Sequence, residues 1–446
     1  MSSLKIITRM FGIELEFFLL DRYGNTVNTA DRVLGFLKRK NLKNIAVRKE
    51  CGKSMIELIS FPHRSHRHLF SDFFKDLESV LYETNVNDLN LFCLGTYPGK
   101  NSNIMRSDKR YISQEKVLGN DQFRNAGKCC GFHYHYTLPR NTFDHNTFFF
   151  NPDISSSKKK KILNLYNLFI ALDPAISTFM QSSPYFEGKL VGKDSRIIMY
   201  RGEKIFDKSD SVYKHIPQYG NLNNYQTNYE SLLSNIKSRA DNWMNVLKEN
   251  NLSFKDFAKK KVSYLDTSWK PVKISMHGTI ESRGADMNRI SNVVALSSLL
   301  TTFFRYLQNN KVNIVPSKIG NTKPFFMDGK NIYVPEVQLL RDSLLKKSAL
   351  YGLESKEVYR YCKSLIKLIE RIIPTEKMAR LRSFKKMISE KRTVSDEIID
   401  FVKEKQGNDN YLVINEKTAK EFALLESKSL FKDLLITKKM TQELLF

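Results

Sequence analysis

Apolar and polar positions alternate most clearly near the N-terminus, in Phe11–Asp21, which reads Phe-Gly-Ile-Glu-Leu-Glu-Phe-Phe-Leu-Leu-Asp. Side chains two apart on a strand share a face. Ile13, Leu15 and Phe17 are therefore expected on one side, with Glu14, Glu16 and Phe18 on the other. The same period of two predicts strands at Ser54–Ile59, Leu89–Leu94, Gly131–Leu138 and Gly278–Arg283. Helical spacing of apolar residues predicts helices over Thr29–Lys40, Phe70–Thr84, Ile162–Gln181 and Asn288–Leu307. From Val337 onward the pattern is helical, with segments at Val337–Leu350 and Lys356–Ile373, a charged stretch to Lys405 and a C-terminal piece to Phe446. Residues 207–270, rich in Asn, Tyr and Lys, predict an insertion with one helix, Tyr229–Asn250, and Arg196 and Arg201 fall in a polar segment expected to be a loop. No internal repeat is visible.

Four of these strands carry polar or charged residues where apolar ones belong: Glu14 and Glu16, Glu57, His133 and His135, and Glu281 with Arg283. Taken singly, each reads as a solvated edge or a satisfied core histidine. Together they place four carboxylates and two imidazoles on one kind of face, which needs cations to be stable. A mostly oxygen ligand set with one or two nitrogens suits Mg²⁺ or Mn²⁺ better than Zn²⁺, and magnesium in such a site usually also coordinates substrate phosphates. Arg196, Arg201 and Arg283 supply planar donors for phosphate or carboxylate. ATP-dependent phosphoryl chemistry on a carboxylate follows, without a P-loop or a kinase motif set.

The chain has 446 residues, 41% hydrophobic, and a formal charge of +25. Such a charge favours anionic partners, but no motif for DNA or RNA accompanies it, which argues against nucleic acid. Five cysteines without a Cys-x-x-Cys argue against a disulfide framework and a structural zinc site. No early apolar run resembles a signal peptide, and the longest apolar segment, Val293–Phe304, is too short to span a bilayer. A soluble cytoplasmic protein, with no membrane partner, is expected.

Six short motifs then stand in order. They are Gly12–Glu16, Ser54–Leu58, Gly95–Pro98, Gly131–His135, Ser183–Tyr185 followed by Arg196 and Arg201, and Gly278–Arg283. In order and rough spacing the set resembles the carboxylate–amine ligases, the second type of glutamate–cysteine ligase, within the glutamine synthetase fold superfamily. The resemblance covers about residues 9–203 and 275–353. It implies an α+β fold, with a curved, mostly antiparallel sheet, helices on its outer face and a helical C-terminal extension. Residues 1–353 would form the catalytic domain and 354–446 the extension. Glu14, His133 and Glu281 match the ligands of one metal, and Glu16, Glu50 and Glu57 those of a second. His135 looks like the nucleotide-side histidine, and Arg196, Arg201 and Arg283 like the residues that meet phosphates and the substrate carboxylate. The implied reaction uses ATP with Mg²⁺ or Mn²⁺ to join a small carboxylate or amino acid to an amine through an acyl phosphate, glutamate and cysteine being the family default. A homo-oligomer is compatible with the superfamily. Two departures stand out: Tyr97, where the family often has histidine, and the polar, glycine-containing run Glu281–Asp286. A zinc hydrolase built on His133 and His135, and a non-catalytic basic binding protein that keeps the fold, are the alternatives.

Overall fold

The computed structural model describes residues 9–443 apart from 202, 207–209, 259–262, 268 and 374. Seven strands build the main sheet: β1 (Phe11–Asp21), β2 (Ile45–Lys49), β3 (Met55–Ser60), β4 (Leu89–Phe92), β5 (Gly131–Thr137), β6 (Val272–Ser275) and β7 (Thr279–Asp286). Their order is β6-β7-β5-β1-β3-β2, with β4 pairing the far end of β1, and every pairing is antiparallel. β1 is thus the central strand, paired with β5 on one side and β3 on the other. The strand β2 has too mixed a pattern to be read from sequence alone; it exists because β3 offers it an edge.

Ten of the helices, in chain order, are α1 (Ala30–Lys38), α2 (His66–Asn85), α3 (Ser156–Phe179), α4 (Ser195–Tyr200), α5 (Tyr229–Glu249), α6 (Ile290–Asn310), α7 (Lys356–Ile372), α8 (Arg382–Glu390), α9 (Val394–Gln406) and α10 (Glu416–Glu443). The expected loop around Arg196 and Arg201 is instead helix α4, with Arg196 inside it and Arg201 at its C-cap. Asp194 nucleates this short helix, its Oδ1 accepting the Ile197 amide at 2.8 Å. A small three-stranded sheet over residues 313–334 also lay outside the sequence reading, and Leu339–Leu344, expected to be α-helical, is a π-helical turn running into Leu345–Tyr351.

The alternation of β1 sets the layering. Phe11, Ile13, Leu15 and Phe17 are at most 1% exposed, on the face where β5 contributes Tyr134 and Tyr136. These tyrosines pack on α3 and α6: Tyr134 lies 6.3 Å from Phe169 and 6.1 Å from Phe304, and Tyr136 lies 5.2 Å from Phe304. Tyr134 Oη meets Thr301 Oγ1 at 2.5 Å, satisfying a buried hydroxyl. Burying one such aromatic stabilises the fold by about 1.5–3 kcal/mol. Helices α3 and α6 are long and apolar enough to cross a membrane by length and composition, unlike the shorter segment expected from sequence, but 89% and 78% of their apolar windows are buried inside the protein. They are core helices.

The C-terminal segment packs back on the sheet. Helix α10 lies on β4, α2 and α6. Phe422 stacks edge-on against Phe92 at 6.5 Å, and Arg289 at the start of α6 donates to Glu426 at 2.8 and 3.1 Å and to Glu397 at 2.6 Å. Phe422→Ala is therefore expected to destabilise the whole protein by about 3–5 kcal/mol. A urea titration followed by far-UV circular dichroism measures it, and a loss below about 1 kcal/mol would mean that α10 rests on the core without supporting it.

Candidate active site

The register of the sheet gathers the polar residues of four strands on the face away from α3 and α6. Glu281 on β7 stands opposite His135 on β5, Glu14 on β1 opposite His133, and Glu16 opposite Glu57 on β3. One step further out, Lys273 on β6 stands opposite Glu281. The contacts follow from this register. His133 Nδ1 lies 2.9 Å from Glu14 Oε2 and 4.0 Å from Glu57 Oε1, and its Nε2 lies 3.5 Å from Glu16 Oε1. His135 holds Thr279 Oγ1 at 2.9 Å through Nδ1 and approaches Glu14 Oε1 at 3.2 Å through Nε2.

Among the described residues, two groups have ligand atoms within 4.8 Å of one another: Glu14, His133 and Glu281, and Glu16, Glu57 and His133. They share His133, and a neutral imidazole has one free lone pair, so it can complete only one group at a time. Glu50 belongs to neither. It follows β2, its Oε2 accepts the Cys51 amide at 3.3 Å, and it lines the same cleft. The donor set fits a hard divalent cation. Carboxylates dominate, and His133 Nε2 is buried with no hydrogen-bond partner although Glu16 is close.

Electrostatics separate the carboxylates. Burial alone would raise Glu14, but the charge of His135 and the hydrogen bonds from His133 and His135 outweigh it and hold the carboxyl well below the usual range. Glu281 is likewise brought down to about 2, because Lys273 and Arg283 overcome the cost of burial. Lys273 Nζ lies 3.3 Å from one Glu281 oxygen and Arg283 Nη1 3.5 Å from the other. Glu16 goes the other way, to about 8, through burial and the neighbouring charge of Glu50. His133 falls to about 4 through burial and the Arg283 charge, which leaves it neutral and able to ligate near pH 7.

The three arginines sit differently. Arg283 is the most open, with 23% of its side chain exposed to the cleft. Arg196 donates from Nη1 to Ala285 O and from Nη2 to Arg283 O, both at 3.1 Å. These carbonyls belong to a bulge in β7, where the register shifts between Ser282 and Ala285. Gly131 leaves room for this guanidinium, since a Cβ there would come within 2.5 Å of Arg196 Nη2. Arg201 is only 3% exposed, and both its terminal nitrogens are taken by Asp173 at 2.8 and 3.1 Å. This pair backs the bulge at Gly284, where a Cβ would lie 2.6 Å from Asp173 Oδ1. The glycine-containing run in β7 thus has a packing reason. Tyr97, the other departure, does not line the cleft; its hydroxyl donates to Gly24 O at 2.9 Å and its ring packs on Phe92.

Sequence reasoning missed Lys273 and Asp173. Lys273 sits on a short strand with no motif, and no sequence signal marked its place beside Glu281. Asp173 lies inside an apolar helix, where a carboxylate 1% exposed marks a buried partner. The sheet face forms the floor of a cleft of about 1780 Å³. Segment 207–270, expected to be an insertion with one helix, supplies part of its wall through Tyr213, Asp266 and Trp269, and Asp266 is gripped by Arg110 at 2.7 and 3.0 Å.

This fold has solved counterparts. The glutamate–cysteine ligase of Francisella tularensis, solved in complex with AMP, superposes with a TM-score of 0.56 at 13% identity, covering 98% of this chain and 94% of that one. A bifunctional glutathione synthetase from Pasteurella multocida gives 0.55 at 15% identity over 96% of this chain, which spans 52% of that longer protein. At such identities the likeness is one of fold. No curated protein sequence matches. The model of glutamate–cysteine ligase family 2 matches residues 10–231, from β1 through α4 to the start of α5. By that match, residues 10–231 belong to glutamate–cysteine ligase family 2.

Proposed function

We propose that this protein is an ATP-dependent carboxylate–amine ligase that activates an acid as its acyl phosphate, with glutamate and cysteine as the default substrates of its family. The observation that carries the reading is the sheet floor, where Glu14, Glu16, Glu57, Glu281 and His133 converge from four neighbouring strands beneath a cleft that Arg283 also lines. Glu14, His133 and Glu281 would hold one divalent cation, and Glu16, Glu57 and Glu50 a second. Bound there, Mg²⁺ or Mn²⁺ would neutralise triphosphate oxygens and make the γ-phosphorus more electrophilic. So many carboxylates suit that role better than a hydrolytic zinc site.

The chain's own groups would orient the reactants. Arg283 presents a fixed, always-charged fork to a phosphate or the acid's carboxylate. His135, anchored by Thr279, would lie on the nucleotide side. Arg196 and the Arg201–Asp173 pair hold the bulge that aims Arg283; they are positioning residues in this reading. A carboxylate oxygen of the acid attacks the γ-phosphorus and ADP leaves. The amine nitrogen then attacks the acyl carbon, phosphate departs, and the nitrogen loses its proton as the amide forms.

The substrates are named by incubating the protein with Mg²⁺, ATP and a panel of acids and amines, and analysing products by mass spectrometry. Amide product with matching phosphate release is expected; no phosphate release across the panel would sink the ligase reading. Glu16→Gln and Glu57→Gln should each lower turnover at least about 100-fold with little change in melting temperature, whereas a binding protein would keep its partner. Asp173→Asn should instead unfold at lower urea, by about 3–5 kcal/mol, because it strands the buried Arg201 charge. If Asp173→Asn leaves stability intact and only turnover falls, Arg201 touches substrate.

A further inference from the structure

Outside the cleft, a second concavity of about 440 Å³ lies between α7 and the turn after α8. Five cations line it: Lys356, Arg360, Lys363 and Lys367 on one stripe of α7, and Lys391 from the turn. Their 4-3-4 spacing puts the four helical cations on a single face, and all five are exposed. The one acid in the lining, Glu354, is drawn to Lys193 at 2.9 Å.

The neighbouring charges make the contrast. On the same helices Glu357 pairs with Lys347 at 2.6 Å, Glu370 with Lys385 at 2.9 Å and Glu390 with Lys386 at 3.9 Å. Among the described residues none of the five pocket cations has an ion-pair partner within 4.0 Å. Like charges at successive helical turns each cost about 0.2–0.5 kcal/mol, a cost that an anion shared by several cations would relieve. Lys363 and Lys391 are also held in place, 5.2 and 5.0 Å over the Tyr359 ring, and Lys363 Nζ donates to its hydroxyl at 3.3 Å.

We propose that this pocket binds a compact chain of phosphates, either inorganic polyphosphate or the triphosphate of a nucleotide. Concavity favours a small ligand over a long polymer. Tyr359, the one aromatic in the lining, is flanked by lysines and poorly placed to stack on a base, which disfavours single-stranded nucleic acid.

Calorimetric titration of the full chain with sodium tripolyphosphate, in EDTA and at low salt, tests it. Wild type should bind one equivalent more than Lys363→Glu/Lys367→Glu, or bind at least tenfold tighter, and the difference should shrink as salt is added. Lys363→Arg/Lys367→Arg should bind as wild type, and because both positions are exposed all three proteins should melt together. Displacement by ATP as effective as by tripolyphosphate assigns a nucleotide triphosphate; displacement by tripolyphosphate alone assigns the inorganic chain. Equal binding by wild type and the Glu variant overturns the proposal. So does a 12-nucleotide single strand that binds through these residues where tripolyphosphate does not.

Discussion

Glu16 and Glu57 face each other directly across β1 and β3, and Glu14 stands one step along the same face. Two such charges about 4 Å apart repel by about 4 kcal/mol at an effective dielectric of 20. The protein meets this repulsion from the side, with His133 and His135 hydrogen-bonding toward Glu14 and the cations Lys273 and Arg283 at the two oxygens of Glu281. The compensation is uneven. Glu14 and Glu281 are well matched, while Glu16, beside Glu50, is not and rises to about 8. A divalent cation on the Glu16 side would complete the pattern. Much of the architecture serves this face, from the aromatic layer that fixes its register to the arginines that pin the bulge of β7.

How much of this was legible follows from what a sequence encodes locally. The alternation in Phe11–Asp21, Gly131–Thr137 and Gly278–Arg283 was enough to predict which residues share a face, and the structure places them there. Neighbour relations between strands are not local. Nothing in the chain said that Glu281 would stand opposite His135, or that Lys273 would then fall beside it. Helix α4 was hidden because six residues give too few apolar positions for a period, and its start depends on one capping aspartate. Arg201 read as an available fork, yet its partner Asp173 lies 28 residues away in an apolar helix.

The same distinction explains the outer segments. Residues 207–270 read as an insertion because their apolar residues have weak periodicity, but Trp243 is fully buried against Trp269 at 5.0 Å, and this aromatic cluster props the cleft wall. Helix α10 carries lysines on its polar positions and no motif, and its value lies in covering β4 and α2, which only the tertiary fold reveals.

The bulge in β7 works as a shift of reading frame. Before it, Glu281 is on the cleft side, opposite His135; after it, Asp286 is on that side, opposite Gly131. An odd- and an even-numbered residue can share a face only because one extra residue intervenes. The shifted frame lets Asp286 accept the Ser182 amide at 3.0 Å and the Ser183 hydroxyl at 2.6 Å, tying the strand to the segment that leads into α4. Without the bulge, strict alternation along the same residues would turn Ala285 to the cleft and Asp286 to the apolar layer. In this strand the length of the chain carries meaning that its composition does not.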